Sequence, residues 1–184
     1  MNLPNRLTVA RMVLIPVMVA LMYPNTPVCN TLATIVFALA AFTDFLDGYI
    51  ARKQGIVTDL GKFLDPVSDK LLTLSAFIML IQHGLMLAWV TVVILARELC
   101  VDGLRMIAVT KGKVIAAGNL GKLKTVFQMS STVALMLLVP VAGSPLLGHF
   151  GVVLANILMY IAVALTIVSG AEYIIKNFDC ISDM

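Results

Sequence analysis

The sequence predicts an all-α fold: a polytopic membrane protein with six transmembrane helices around a cytoplasm-facing polar chamber. Three observations lead there. The 184 residues are 60% hydrophobic and only 12% charged, about half the charged fraction of an ordinary soluble domain, and their mean hydropathy is +1.01. Six largely apolar stretches are separated by short segments carrying Pro, Gly, Asn or His. Lys and Arg lie in or directly beside every second connection, Arg52, Lys53 and Lys62 flanking the second, and are absent from the others, the pattern of a chain that crosses a bilayer repeatedly.

The first helix is predicted over 7–23. Arg6 and Arg11 precede its apolar run, as in a secretory signal, but Arg11 crowds the run and no small-x-small cleavage pattern follows before Pro24, so the helix is expected to be retained. Pro24, Asn25 and Pro27 end it. The second helix, 31–53, stops before Gly55, and the third, 61–82, before His83 and Gly84. The fourth, 85–110, ends at Lys111, Gly112 and Lys113. The fifth, 118–139, is closed by Pro140, and the sixth, 149–176, follows Gly143, Ser144 and Pro145. No internal repeat interrupts this order, and one transmembrane domain over 1–184 is expected.

Basic residues set the orientation. The connections 24–30, 83–84 and 140–148 contain no Lys or Arg, whereas the N-terminus and the second and fourth connections are basic. Both termini are therefore expected in the cytoplasm. His83 and His149, the only histidines, then lie on the far side from every acidic cluster, which makes neither a candidate for catalysis. Cys29, Cys100 and Cys180 are too scattered for a zinc or disulfide framework and are expected to pack. The net charge of +3 gives no reason to expect nucleic acid as a partner.

Most of the apolar runs are too short to cross. Residues 31–43 would span ~20 Å as a helix, against the ~30 Å of hydrocarbon in a bilayer. The second helix must therefore continue into the charged stretch that follows it. The third has the same deficit, made up by Asp65, Asp69 and Lys70; the fourth ends in Arg97, Glu98, Asp102 and Arg105; the fifth begins with Lys122 and Lys124. All these polar ends fall on the cytoplasmic side. A charge at mid-bilayer costs about 2.5–3.5 kcal/mol even on lenient scales, so such groups are expected to face one another around a wet chamber.

Half of the acidic residues, five of ten, fall between positions 44 and 69. On helices, Asp44 and Asp47 are i and i+3, and Asp65 and Asp69 are i and i+4, so each pair shares a face. Counting inward from Arg52 and Gly61 at 1.5 Å per residue places Asp44 and Asp69 ~12 Å deep, and Asp47 and Asp65 ~6–8 Å deep. Four carboxylates in a partly desolvated space cannot all remain ionised unaided. Oxygen-only ligands favour Mg²⁺ or Mn²⁺ over zinc, and four aspartates suit a pair of metals clamping a phosphoryl group. Gly48 and Gly61 offer bare surface for close approach, and Arg52 a fork for phosphate. The alternative is structural pairing of the aspartates with Arg52, Lys53, Lys62 and Lys70.

Asp44, Asp47, Gly48, Ala51, Arg52, Gly61, Asp65 and Asp69 reproduce the spacing D-x2-D-G-x2-A-R-x8-G-x3-D-x3-D. In these eight positions, and in the N-terminal PNRLTVAR, the chain resembles the CDP-alcohol phosphotransferase family. The resemblance implies transfer of a phosphatidyl group from CDP-diacylglycerol to sn-glycerol 3-phosphate, with release of CMP, by a homodimer in the cell membrane. It implies two divalent ions on Asp44, Asp47 and Asp65, with Asp69 near the metals as general base. Asp47, Gly48, Ala51 and Arg52 would line the CDP pocket, joined by Asn5 and Thr8. Asn5, Thr8 and Arg11 share one helical face; the alternative for them is a cap followed by a positive-inside anchor.

An acceptor carrying phosphate requires a second anion site. Arg97 and Arg105, with Lys122 and Lys124, are the candidates. The alternatives are pairing of the arginines with Glu98 and Asp102, and snorkelling of the lysines to head groups. The donor signature does not choose among acceptors, so serine, inositol phosphate and a phospholipid remain open. A divalent-cation transporter would need polar groups continuing to the far side, where the helices are almost purely apolar. Glu172 and Lys176 are expected to form an i,i+4 pair.

Overall fold

The computed structural model describes residues 3–54, 59–110, 118–138 and 147–177; within these, side chains are described except at 3–6, 44–54, 59–63, 65, 110, 119, 138 and 147–149. The described residues form six α-helices: α1 (Leu3–Met22), α2 (Pro27–Gln54), α3 (Asp59–Gln82), α4 (Ala88–Thr110), α5 (Asn119–Leu138) and α6 (Leu147–Lys176). Each predicted helix is found. Phe150–Lys176, with a mean hydropathy of 2.4, is long and apolar enough to cross a membrane, while Leu7–Met22 and Pro27–Thr43 are apolar over shorter lengths.

The ends that differ from expectation have local causes. Pro27 opens α2, because a proline fits the first helical position, where its missing N–H has no intrahelical acceptor. Thr26 caps it, its Oγ1 accepting from the Cys29 N–H at 3.4 Å. The turn before it uses Asn25 at φ 51°, whose Oδ1 accepts from Asn30 Nδ2 at 3.0 Å. After α3, Gly84 adopts φ 71°. Its N–H bonds to the Ile81 carbonyl and that of Leu85 to the Leu80 carbonyl, at 2.9 and 3.0 Å, which closes a Schellman cap. Leu85 is thereby committed to the end of α3, and α4 starts only at Ala88.

The chain divides into two compact units, Met1–Met86 with Val133–Val152, and Leu87–Thr132 with Val153–Met184. In the first, α1 packs against both α2 and α3, and α2 touches α3. The buried face of α1 runs Thr8, Arg11, Ile15, Met18 and Met22, spaced by three and four. The buried face of α2 runs Asn30, Ala33, Thr34, Phe37 and Ala40, again spaced by three and four. The outward faces carry Val13, Val17, Ile35, Leu39 and Phe42. Large aliphatic side chains thus lie outside while polar ones are enclosed.

In the second unit, contacts pair Trp89 with Tyr160, Arg97 with Ser169, and Arg105 with Tyr173. Both members of the pairs advance together, so α4 and α6 run parallel. α5 runs the other way: Gly121 lies beside Arg97 near its start, and Ser131 Oγ donates to the Ala155 carbonyl at 2.8 Å further along. Glu172 and Lys176 form the expected i,i+4 pair on exposed α6 surface. Cys100, expected to pack, is exposed on α4.

Candidate active site

The motif aspartates belong to the first unit. Asp44, Asp47, Gly48, Ala51 and Arg52 occupy the final turns of α2, which is helical without interruption from Pro27 to Gln54. At 1.5 Å per residue its 28 residues extend ~42 Å, so the apolar run does continue into the charged motif. Gly61, Asp65 and Asp69 lie on the first turns of α3. The i, i+3 and i, i+4 spacings are therefore true helical spacings. Apart from Asp69, the side chains of these motif residues lie outside the described residues, as does that of Asn5.

Asp69 is half-buried. Its backbone carbonyl, like that of Lys70, accepts from Thr73 Oγ1, at 3.2 and 3.1 Å, within the regular turn of α3. Its neighbour Ser68 is fully buried and accepts from Arg11 Nη1 at 2.9 Å. This contact was not anticipated. Arg11 is not a positive-inside anchor in water: it is 0% exposed, and it ties α1 to the turn of α3 that carries Asp69. The available signal was its place on the three-four stripe from Thr8 to Met22, a buried face. Thr8 is on the same face and is also enclosed.

For divalent ions the residues fit. The donor set consists of four carboxylates on two consecutive helices separated by only residues 55–58, with no imidazole or thiolate among the eight motif positions. Hard oxygen ligands of this kind suit Mg²⁺ or Mn²⁺. Among the described side chains no group of three His, Cys, Asp or Glu forms a metal site; Asp44, Asp47 and Asp65 lie outside that set.

The candidate cations Arg97, Arg105, Lys122 and Lys124 belong to the second unit. Lys124 is buried and forms an ion pair with Glu98. The salt bridge of Glu98 is thus made with a lysine of α5 and not with its neighbour Arg97. The Arg97 guanidinium donates from Nη2 to Ser169 Oγ at 3.1 Å, and its Nε is buried without a partner. Arg105 lies with its guanidinium carbon 5.6 Å from the centre of the Tyr173 ring, a cation–π contact, and its Nε is likewise buried and unpartnered. Among the described residues neither arginine forms an ion pair. Lys122 is exposed at the head of α5. Arg97 and Arg105, both half-buried, thus stand in one unit without a carboxylate salt bridge among the described residues.

Residues 1–168 match the CDP-alcohol phosphatidyltransferase family, a span that includes the aspartate motif and the candidate cations. The chain belongs to that family. Among similar family members, a Bacillus subtilis protein named CDP-diacylglycerol–glycerol-3-phosphate 3-phosphatidyltransferase is 41% identical over 98% of this chain and 97% of its own length. A Rickettsia typhi protein of the same name is 41% identical over 94% of each chain. A Mycobacterium tuberculosis protein named as a probable phosphatidylglycerophosphate synthase is 41% identical over 95% of this chain and 81% of its own.

Proposed function

We propose that this chain transfers the phosphatidyl group of CDP-diacylglycerol to the hydroxyl of sn-glycerol 3-phosphate, giving phosphatidylglycerophosphate and CMP. The extent of the likeness carries the reading: the Bacillus subtilis relative, named for this transfer, is similar over 98% of the chain, motif and cationic helices together. The acceptor hydroxyl oxygen bonds to the phosphatidyl phosphorus, and the bond from that phosphorus to the departing CMP oxygen breaks with its electron pair. Asp69 takes the hydroxyl proton.

Asp44, Asp47, Asp65 and Asp69 would hold two divalent ions, Mg²⁺ or Mn²⁺. Bound there, such ions supply charge that polarises the pyrophosphate and offsets the negative charge of CMP. Asn5, Thr8, Asp47, Gly48, Ala51 and Arg52 hold the CDP moiety, with Arg52 as the fork for phosphate. Arg97 and Arg105 bind the acceptor's phosphate, their charge not being spent on carboxylates of the protein. Lys122 adds positive charge at the head of α5, whereas the charge of Lys124 is matched by Glu98. The enzyme lies in the cell membrane as a six-span homodimer, with both termini and the reacting groups on the cytoplasmic side, where glycerol 3-phosphate and CMP are soluble.

The decisive test incubates purified protein with CDP-diacylglycerol, Mg²⁺ and a panel of labelled acceptors. CMP release together with label from glycerol 3-phosphate in lipid is expected. Absence of CMP with every acceptor would refute the enzyme reading, and preferential incorporation of serine would overturn the acceptor.

A further inference from the structure

α6 has no place in the donor motif, yet it supplies what surrounds the arginines. On α4, Val90, Ile94, Val101 and Ala108 form a buried stripe, and Arg97 sits within it at the same three-four spacing. The parallel stripe of α6 runs Ala162, Thr166, Ser169 and Tyr173. Where the arginine stem crosses to α6, the residues it meets are Ser169 and Gly170.

The fit at Gly170 is tight. A Cβ there would stand 2.9 Å from Arg97 Cγ, closer than side-chain carbons pack. The Arg97 stem therefore lies directly on α6 backbone. Cγ is near the root of the side chain, so it cannot swing aside as a flexible tip would; χ1 must turn or the helices must part. Recovering ordinary contact at 3.4 Å needs a shift of 0.5 Å at Cγ (3.4 − 2.9). The guanidinium lies further out along the same lever and moves by more, on the order of 1 Å, a displacement that can cost a positioned group about a hundredfold.

Ser169 fixes the other end. Its hydroxyl donates to the Thr166 carbonyl at 3.3 Å, leaving its lone pairs to accept from Arg97 Nη2 at 3.1 Å. Both devices are neutral. They hold the guanidinium without cancelling its charge, whereas Lys124 is held by Glu98, which does cancel it.

We infer that Ser169 and Gly170 are positioning residues, which set the affinity for the acceptor's phosphate by fixing where the Arg97 guanidinium stands. The inference rests on the proposed role of Arg97 at the acceptor site.

The test is steady-state kinetics of the purified full-length protein in detergent micelles, varying each substrate in turn. Gly170→Ala is expected to raise KM for glycerol 3-phosphate at least tenfold. Ser169→Ala should raise it about fivefold, as loss of one hydrogen bond implies. KM for CDP-diacylglycerol should stay within about twofold in both variants, and Ser169→Thr, which keeps the hydroxyl, should stay close to the unsubstituted protein. In an Arg97→Ala background, Ser169→Ala should add nothing, because the serine acts through the arginine. KM values for both substrates rising together, or a serine effect undiminished without Arg97, would overturn the inference while leaving the acceptor role intact. An unchanged glycerol 3-phosphate KM in Arg97→Ala alone sinks the acceptor role and the inference with it. Should Gly170→Ala fail to fold, the three Ser169 measurements decide the matter.

Discussion

The ion pair of Glu98 and Lys124 gives the sharpest energetic prediction. Lys124 is 3% exposed and Glu98 19%, so each depends on the other for most of what water would otherwise supply. Removing one member of a buried pair costs about 3–5 kcal/mol, because the survivor is left charged and unpaired. The two single substitutions should not be equal. Glu98→Gln strands the more deeply buried charge and should reach the full cost, while Lys124→Met leaves a carboxylate with some access to water and should cost less. At roughly 2–4 °C per kcal/mol for a chain of this size, Glu98→Gln should lower Tm by roughly 10 °C. Glu98→Leu with Lys124→Met removes both charges together and should recover to within about 1 kcal/mol of the unsubstituted protein. Thermal unfolding in detergent, followed by circular dichroism, measures all three. A Glu98→Gln protein as stable as the original, or a double variant that loses the sum of the two singles, would refute the reasoning.

Other consequences are tested with the same material. Asp69→Asn should keep most CDP-diacylglycerol binding yet lose turnover, whereas Asp44→Asn should also shift the Mg²⁺ concentration needed for binding; equal loss of binding in both would contradict the division of roles. Chelation should abolish CMP release, and Mg²⁺ or Mn²⁺ should restore it where zinc does not, since the proposed ligands are all oxygen. Ser68→Ala removes an acceptor from the fully buried Arg11 guanidinium and should cost about 1.5–3 kcal/mol in unfolding free energy; a neutral result would mean that the contact of α1 with the Asp69 turn is not energetically significant.

The six helices were legible because long apolar runs punctuated by Pro, Gly and Asn read as helices whatever their packing. The endpoints were less legible, for reasons local to each. Pro27 reads as a terminator when counted with Pro24, but after Thr26 it is a first helical residue. Leu85 reads as the first apolar position of α4, but its N–H is already used by the Leu80 carbonyl. The donor motif was visible by spacing alone, since both of its carboxylate pairs repeat along single helices. That is the kind of information a linear sequence carries.

Which charges are neutralised is information of another kind. Pairing with Glu98 and Asp102 was the alternative weighed for Arg97 and Arg105, and snorkelling the alternative for Lys124. In the structure Glu98 reaches 26 residues along the chain to Lys124, and Arg97 is held 72 residues away by a serine hydroxyl. Neither partner has a periodic signature, because both depend on which helix lies alongside. The distinction matters for function. A buried cation matched by a carboxylate is part of the scaffold, while one held only by a hydroxyl, a glycine surface or an aromatic face keeps its charge for a ligand. By that criterion Arg97 and Arg105 are the candidates for binding an anion, and what they rest against is Ser169, Gly170 and Tyr173 of α6, which carries no motif residue.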